Sequence, residues 1–166
     1  MADEMVSAAD LRRFALFAGL PDADLAGLAA AAGRRGLSDR EVLVTRGEPA
    51  SDVWWVVAGR LTLSIEHDGR SVVVMTLGPG DMLGWSTLRA EGPEGTGGAR
   101  ALTTARSVGA TELVSLPAGR LREALETCTP AARTLVRRLL AIAAADLEGT
   151  RAQLLRLGRE GPITAG

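Results

Sequence analysis

The segment Leu83-Gly84-Trp85-Ser86-Thr87-Leu88 packs a glycine, an indole and two hydroxyls into six residues, just after the Gly78-Pro79-Gly80-Asp81 turn. A turn of this composition offers backbone N–H groups, two hydroxyls and an aromatic face. Those groups suit an anion, or a planar ring on which Trp85 would stack. Trp85 could equally fill the same space as core. Arg100 and Arg106 are the cations that could meet an anion here, with Thr103 and Thr104 as hydrogen-bonding neighbours. Either they line such a pocket, Arg100 being the better placed, or both are solvated on the surface. The intervening Gly-rich run at 89–98 has no Lys-Ser/Thr after its glycines. It therefore reads as a mobile lid or a plain linker and not as a phosphate cradle.

Other chemistry finds little support. His67 is the only histidine and sits beside Asp68-Gly69, where a hairpin tip is expected. One histidine and one cysteine, Cys128, exclude a His-rich or Cys-rich metal centre and an intramolecular disulfide, and no Cys-His or Ser-His-Asp pairing has supporting context. The carboxylate pairs Asp22/Asp24 and Glu91/Glu94 fall in loops or at helix ends. No catalytic residue, metal or cofactor is assigned, and an enzyme is not expected. With 19 basic residues, all arginine, against 20 acidic ones, the net charge is −1, so no overall field draws in nucleic acid or an anionic membrane. No apolar run approaches the roughly 20 residues that span a bilayer, and a cytoplasmic protein is the expectation.

The elements that would position this turn are legible from periodicity. Leu11, Phe14, Phe17, Leu20, Leu25 and Leu28 recur at helical spacings over 8–17 and 22–33, with Pro21 as the break. From Glu41 the period becomes two, with Leu61, Leu63 and Ile65 on one face and Arg60, Thr62, Ser64 and Glu66 on the other. Asp68-Gly69 predicts a tight hairpin, Val72–Leu77 its return strand and Pro79-Gly80 a type II turn. Strands near 99–108 and 111–116 would complete a jelly-roll barrel. Pro117 and Pro130 each open a helix, the second over 131–157.

That last helix carries two apolar stripes. Val136, Leu140, Ala143, Leu147, Thr150, Leu154 and Leu157 keep a 4-3 spacing, while Leu135, Leu139 and Ile142 form a shorter face. One stripe can pack on the barrel and the other on a second subunit, because residues beyond about 147 should outrun so small a barrel and leave an apolar ridge in water. The alternative is a helix wrapped wholly onto its own core.

Written out, TRGEPASDVWWVVAGRLTLSIEHDGRSVVVMTLGPGDMLG over 45–84 resembles the core of the cyclic-nucleotide-binding domain of the Crp/Fnr regulators and cyclic-nucleotide-gated proteins. LFAGLPDADLAGLA resembles that family's helical lead-in and TELVSLP its later strand. The resemblance implies a mainly β fold with flanking helices, a double-stranded β-helix (jelly-roll) barrel. It implies one domain over 8–157, with N-terminal helices over 8–33, barrel over 41–116 and C-terminal helices over 117–157, followed by a tail at 158–166. It also implies that the last helix makes a homodimer. Regulators of the family continue into a helix-turn-helix domain, whereas residues 158–166 do not read as one, so direct DNA binding is not expected.

The family's phosphate-binding cassette reads Phe-Gly-Glu, a small residue and Leu, a loop, then Arg and two small residues. Here Gly84 matches, Trp85 stands at the Glu position and Ala101 at the Arg position, with Arg100 one residue away. An indole N–H only donates and cannot replace a carboxylate acceptor for a ribose hydroxyl. Losing two charge-assisted hydrogen bonds at roughly 1.5–3 kcal/mol each removes about two to four decades of affinity. The expectation is a Crp-like regulatory domain that senses a small anionic or nucleotide-like molecule other than cAMP or cGMP. Its site would comprise Gly84, Trp85, Ser86, Thr87, Leu88, Arg100, Thr103 and Thr104, with Thr150 as a cap from the helix. The alternative is a ligand-free dimeric scaffold acting through its last helix on a protein partner.

Overall fold

A computed structural model describes residues 5–88 and 99–160, without the side chains of residue 67 and residues 153–160. The Gly-rich run at 89–98, the tail beyond residue 160 and the side chains of Leu154 and Leu157 lie outside what is described.

Four helices and six strands follow one another as α1 (Ala8–Arg12), α2 (Asp22–Ala31), β1 (Gly33–Leu37), β2 (Val42–Val44), β3 (Asp52–His67), β4 (Arg70–Leu77), β5 (Met82–Leu83), β6 (Thr104–Pro117), α3 (Ala118–Glu126) and α4 (Pro130–Glu160). A single 3-10 turn, Trp85–Leu88, follows β5. The antiparallel sheet runs β1-β6-β3-β4, with β2 also on β6 and β5 also on β3, and it is not closed. β3 is the spine. It pairs with β6 from Asp52↔Pro117 to Ser64↔Thr104 and with β4 from Leu61↔Leu77 to His67↔Arg70. Positive φ at both Asp68 and Gly69 gives the two-residue hairpin that matches strand twist. Gly80, at φ +92°, occupies the third position of the Gly78–Asp81 turn, which the Asp81 N–H closes onto the Gly78 carbonyl at 3.0 Å.

Alternation along β3 sends side chains into two cores. Val53 and Trp55 face the helices, where Trp55 lies 5.6 Å from Phe14 and 5.2 Å from Phe17 between ring centroids. Leu11, Phe14, Phe17, Leu20, Leu25 and Leu28 are all buried in this first core, together with Leu121 of α3 and Leu135 of α4. On the other face Val56, Leu61 and Leu63 join Leu37, Leu43, Leu77, Ala105 and Leu113 inside the sheet.

Four boundaries differ from the sequence expectation. The first helix ends at Arg12 and not at 17, yet Phe14, Leu16, Phe17 and Leu20 remain buried in the succeeding turns, so helical spacing here reported burial and not helix. The second ends at Ala31, because Ala32 is already extended. The sheet therefore begins at Gly33 and not at 41, β1 being short of apolar residues and paired along β6. The pair of strands expected at 99–108 and 111–116 is one strand, β6, bent at Gly109 with φ +73°. Residues 99–101 instead join the 47–50 loop: Gly47 N–H donates to Ala101 O, Ala101 N–H to Glu48 O and Ala50 N–H to Ala99 O.

α4 divides along its length. Its first half sits on the core through Leu135, Leu139 and Ile142, and Arg138 Nη1 donates to the carbonyls of Leu16 and Ala18 at 3.0 and 2.7 Å. Its other face carries Val136, Leu140 and Leu147, exposed by 41%, 65% and 51%. The expectation that the helix outruns the sheet beyond about 147 does not hold at Thr150, which still borders the cavity described next.

Candidate functional site

Between the inner face of the sheet, the Trp85–Leu88 turn and the middle of α4 lies a cavity of about 710 Å³. The sheet supplies Leu43, Val44, Trp54, Leu63, Val74, Met75, Met82 and Leu83, and the 101–103 segment supplies Ala101, Leu102 and Thr103. Gly84, Trp85, Ser86 and Thr87 border it at one end, and α4 contributes Leu140, Ala143, Ala144, Asp146, Leu147 and Thr150. Its volume suits a small organic molecule, and most of the lining is apolar.

Local backbone requirements explain the turn. Gly84 has φ +91°, and a Cβ there would stand 2.8 Å from the Asp52 carbonyl oxygen, so only glycine brings the chain this close to β3. Thr87 is buried, and both its N–H and its Oγ1 donate to Gly84 O, at 2.9 and 2.6 Å. Its own carbonyl accepts from Arg122 Nη2 of α3 at 3.0 Å. The turn is thus locked from within and from below, and the Thr87 hydroxyl is committed to its own backbone. Leu88 packs against the helical core and does not border the cavity.

Trp85 reaches across to α4, where its indole Nε1 donates to Asp146 Oδ2 at 2.7 Å. Burial pushes the Asp146 carboxyl up from its ordinary value, the indole hydrogen bond pulls it back, and the negative charge of Asp81 adds to the rise. Two further charged residues border the cavity. Asp52 accepts from Ser51 Oγ at 2.8 Å, and Arg35 lies over the Trp54 ring at 5.8 Å while its Nη2 reaches Glu41 Oε1 at 3.5 Å.

The structure gathers Gly84, Trp85, Ser86, Thr87, Thr103 and Thr150 around one space and leaves the arginines out of it. Arg100 is exposed, bridges to Pro49 and donates from Nη1 to Gly47 O at 2.7 Å. Arg106 is also exposed and donates to Arg40 O at 2.8 Å. Neither borders the cavity, whereas Ala101 does. Thr104 accepts from the Arg46 N–H and lies outside. Sequence reasoning missed Asp146, Asp52, Arg35 and Trp54. A signal for Asp146 existed: it is three residues after Ala143 and four before Thr150, on the same helical face, and an indole that can only donate requires an acceptor. Among the described residues no group of three or more His, Cys, Asp or Glu is placed to hold a metal.

An open antiparallel sheet, a short turn and a covering helix thus enclose a cavity of ligand size. The family model described as the cyclic nucleotide-binding domain matches residues 34–128, more than half of the chain, and the chain belongs to that family. Among solved structures it is similar to the regulatory domain of PKA from Toxoplasma gondii with cAMP, at 27% identity and TM-score 0.59, covering 70% of this chain and 42% of that one. It also matches a putative cyclic nucleotide-binding protein from Geobacter metallireducens, at 22% identity and TM-score 0.68, covering 86% and 99%. A third match is the N-terminal domain of a transcriptional regulator from Streptomyces coelicolor, at 23% identity and TM-score 0.61, covering 94% and 99%. The last two likenesses are of fold. No curated protein sequence matches the chain. Among the described residues no helix is long and apolar enough to cross a membrane.

Proposed function

We propose that this chain is a small-molecule sensor of the cyclic-nucleotide-binding fold whose ligand is not a cyclic nucleotide. One observation carries the reading: the Trp85 indole is turned onto Asp146, while Ala101 borders the cavity and the neighbouring Arg100 turns away from it to the Gly47 carbonyl. A cyclic phosphate buried there would meet two carboxylates and an arginine already engaged by Glu41 and Trp54, in a largely apolar space. The role is regulatory and not catalytic. With a net charge of −1, no overall field favours non-specific binding to nucleic acid, and the output of the domain is read as a protein contact.

The test is thermal unfolding of the full chain against cAMP and cGMP. A ligand at 100 times its dissociation constant adds about 2.7 kcal/mol, several degrees in Tm for a chain of this length. No shift is expected up to millimolar concentration, and a reproducible rise with either nucleotide sinks the reading.

A second reading is supported by the exposed row Val136, Leu140 and Leu147 on α4. Three apolar side chains at heptad spacing fit a homodimer through this helix or docking on a protein partner. Leu140 and Leu147 also border the cavity, so occupancy and association would share residues.

A further inference from the structure

The cavity under α4 contains a charge that no cation among the described residues matches. Among the described residues no cation lies within ion-pair distance of Asp146. Its partner is a neutral indole N–H at 2.7 Å, and Asp81 acts on it with like sign. Of the other charged groups bordering the cavity, Arg35 is engaged by the face of Trp54 and by Glu41, while Asp52, with the Ser51 hydroxyl as its donor, adds a second carboxylate and no cation. A carboxylate has about four acceptor sites, and one neutral donor leaves most of them open. A half-buried acid in an apolar space is therefore a site for a donor that carries positive charge.

We propose that the cavity takes a small, largely apolar amine, its hydrocarbon or ring body against Trp54, Leu63, Met75 and Leu83 and its ammonium group on Asp146. The proposal rests on the reading that this cavity is not a cyclic-nucleotide site, and it adds the class of ligand. The ammonium completes Asp146 while Trp85 keeps its own hydrogen bond. Thr150, one turn further along α4, donates to the Asp146 backbone carbonyl at 2.8 Å, and its hydroxyl oxygen retains lone pairs for a second ligand N–H. An acid of the same shape would set like charges together, and an alcohol would gain a hydrogen bond to the carboxylate without the opposite charge.

The test uses three probes with one indole ring and different heads, tryptamine, tryptophol and indole-3-propionate, with cAMP as a fourth. Binding to the full chain is measured by calorimetry at pH 7.5. Tryptamine should bind about tenfold to a hundredfold more tightly than tryptophol, the worth of one charge-assisted hydrogen bond, and indole-3-propionate most weakly. Asp146→Asn should cost tryptamine about tenfold to a hundredfold and tryptophol much less, so that the preference for the amine is lost. Trp85→Phe removes the neutral donor but keeps the carboxylate, and should retain the preference for the amine. The inference is overturned if tryptamine fails to bind at millimolar concentration, if the acid binds as well as the amine, or if Asp146→Asn leaves the preference intact. In all three cases the non-nucleotide reading survives, provided cAMP does not bind. Binding of cAMP overturns that reading, and the inference with it.

Discussion

At the scale of single residues, Trp85 and Asp146 join the cavity floor to α4, and their chemistry gives a pH signature. Burial raises the folded carboxyl above its ordinary 3.8, so the folded state holds a proton that the unfolded state has already lost. Stability attributable to Asp146 is full below about pH 4 and falls as pH rises toward the raised folded value. Asp146→Asn removes this dependence. Its stability relative to the wild type should therefore increase between pH 4 and 7, read from urea unfolding at several pH values, and a difference independent of pH would contradict the burial argument. Gly84 supplies a second residue-scale prediction. Gly84 and Gly80 share φ near +90°, but a Cβ at Gly80 meets nothing within 4 Å, whereas at Gly84 it meets the Asp52 carbonyl. Gly80→Ala should cost about 1 kcal/mol and Gly84→Ala some 1–3 kcal/mol, and equal losses would refute the close-approach argument. The Gly84–Thr87 part of the site was legible because glycine and hydroxyls have local reasons to occur in a turn. Asp146 was legible only as a position on the Ala143–Thr150 face of the helix, because the contact that makes it a site residue spans 61 positions in sequence.

At the scale of elements, α4 is two helices in energetic terms. Leu135 is buried with Leu121 and Phe17 in the helical core, while Leu140 and Leu147, one and three turns further on the opposite stripe, are more than half exposed. Leu135→Ala should cost about 2–5 kcal/mol, as deletions in close-packed cores do. Leu147→Ala should cost less than about 1 kcal/mol in the monomer, because little is buried there. Urea unfolding at low protein concentration distinguishes them, and a loss at Leu147 as large as at Leu135 would mean that the second half of α4 is core after all. The same contrast explains what periodicity could report about the fold. The two stripes of α4 were readable because each has its own spacing. β1 was not, since Gly33-Arg34-Arg35-Gly36-Leu37 has almost no apolar alternation and becomes a strand only by pairing with β6, some 80 residues away. Where strand identity comes from a partner edge, one-dimensional periodicity has nothing to report.

At the scale of the whole molecule, one face of α4 stands between the cavity and whatever lies outside it. Leu140 and Leu147 each contribute to both, so a molecule entering the cavity and a protein surface approaching the helix compete for, or cooperate through, the same side chains. If the outer occupant is a second copy of the chain, folding and association are linked, and Tm must rise with protein concentration. Leu147→Asp places a charge in the middle of that row and should abolish the concentration dependence. Because residue 147 is about half exposed in the single chain, the change should leave Tm at low concentration within a few degrees of the wild type. Arg100→Ala should alter neither quantity beyond the loss of its hydrogen bond to Gly47 O, since it touches neither the cavity nor α4. Sedimentation velocity over a hundredfold range of concentration, run beside the thermal scans, separates the cases. A wild-type chain that stays monomeric, with a Tm independent of concentration, would assign the exposed row to a different protein. A dimer that survives Leu147→Asp would place the interface on another face and uncouple association from the cavity.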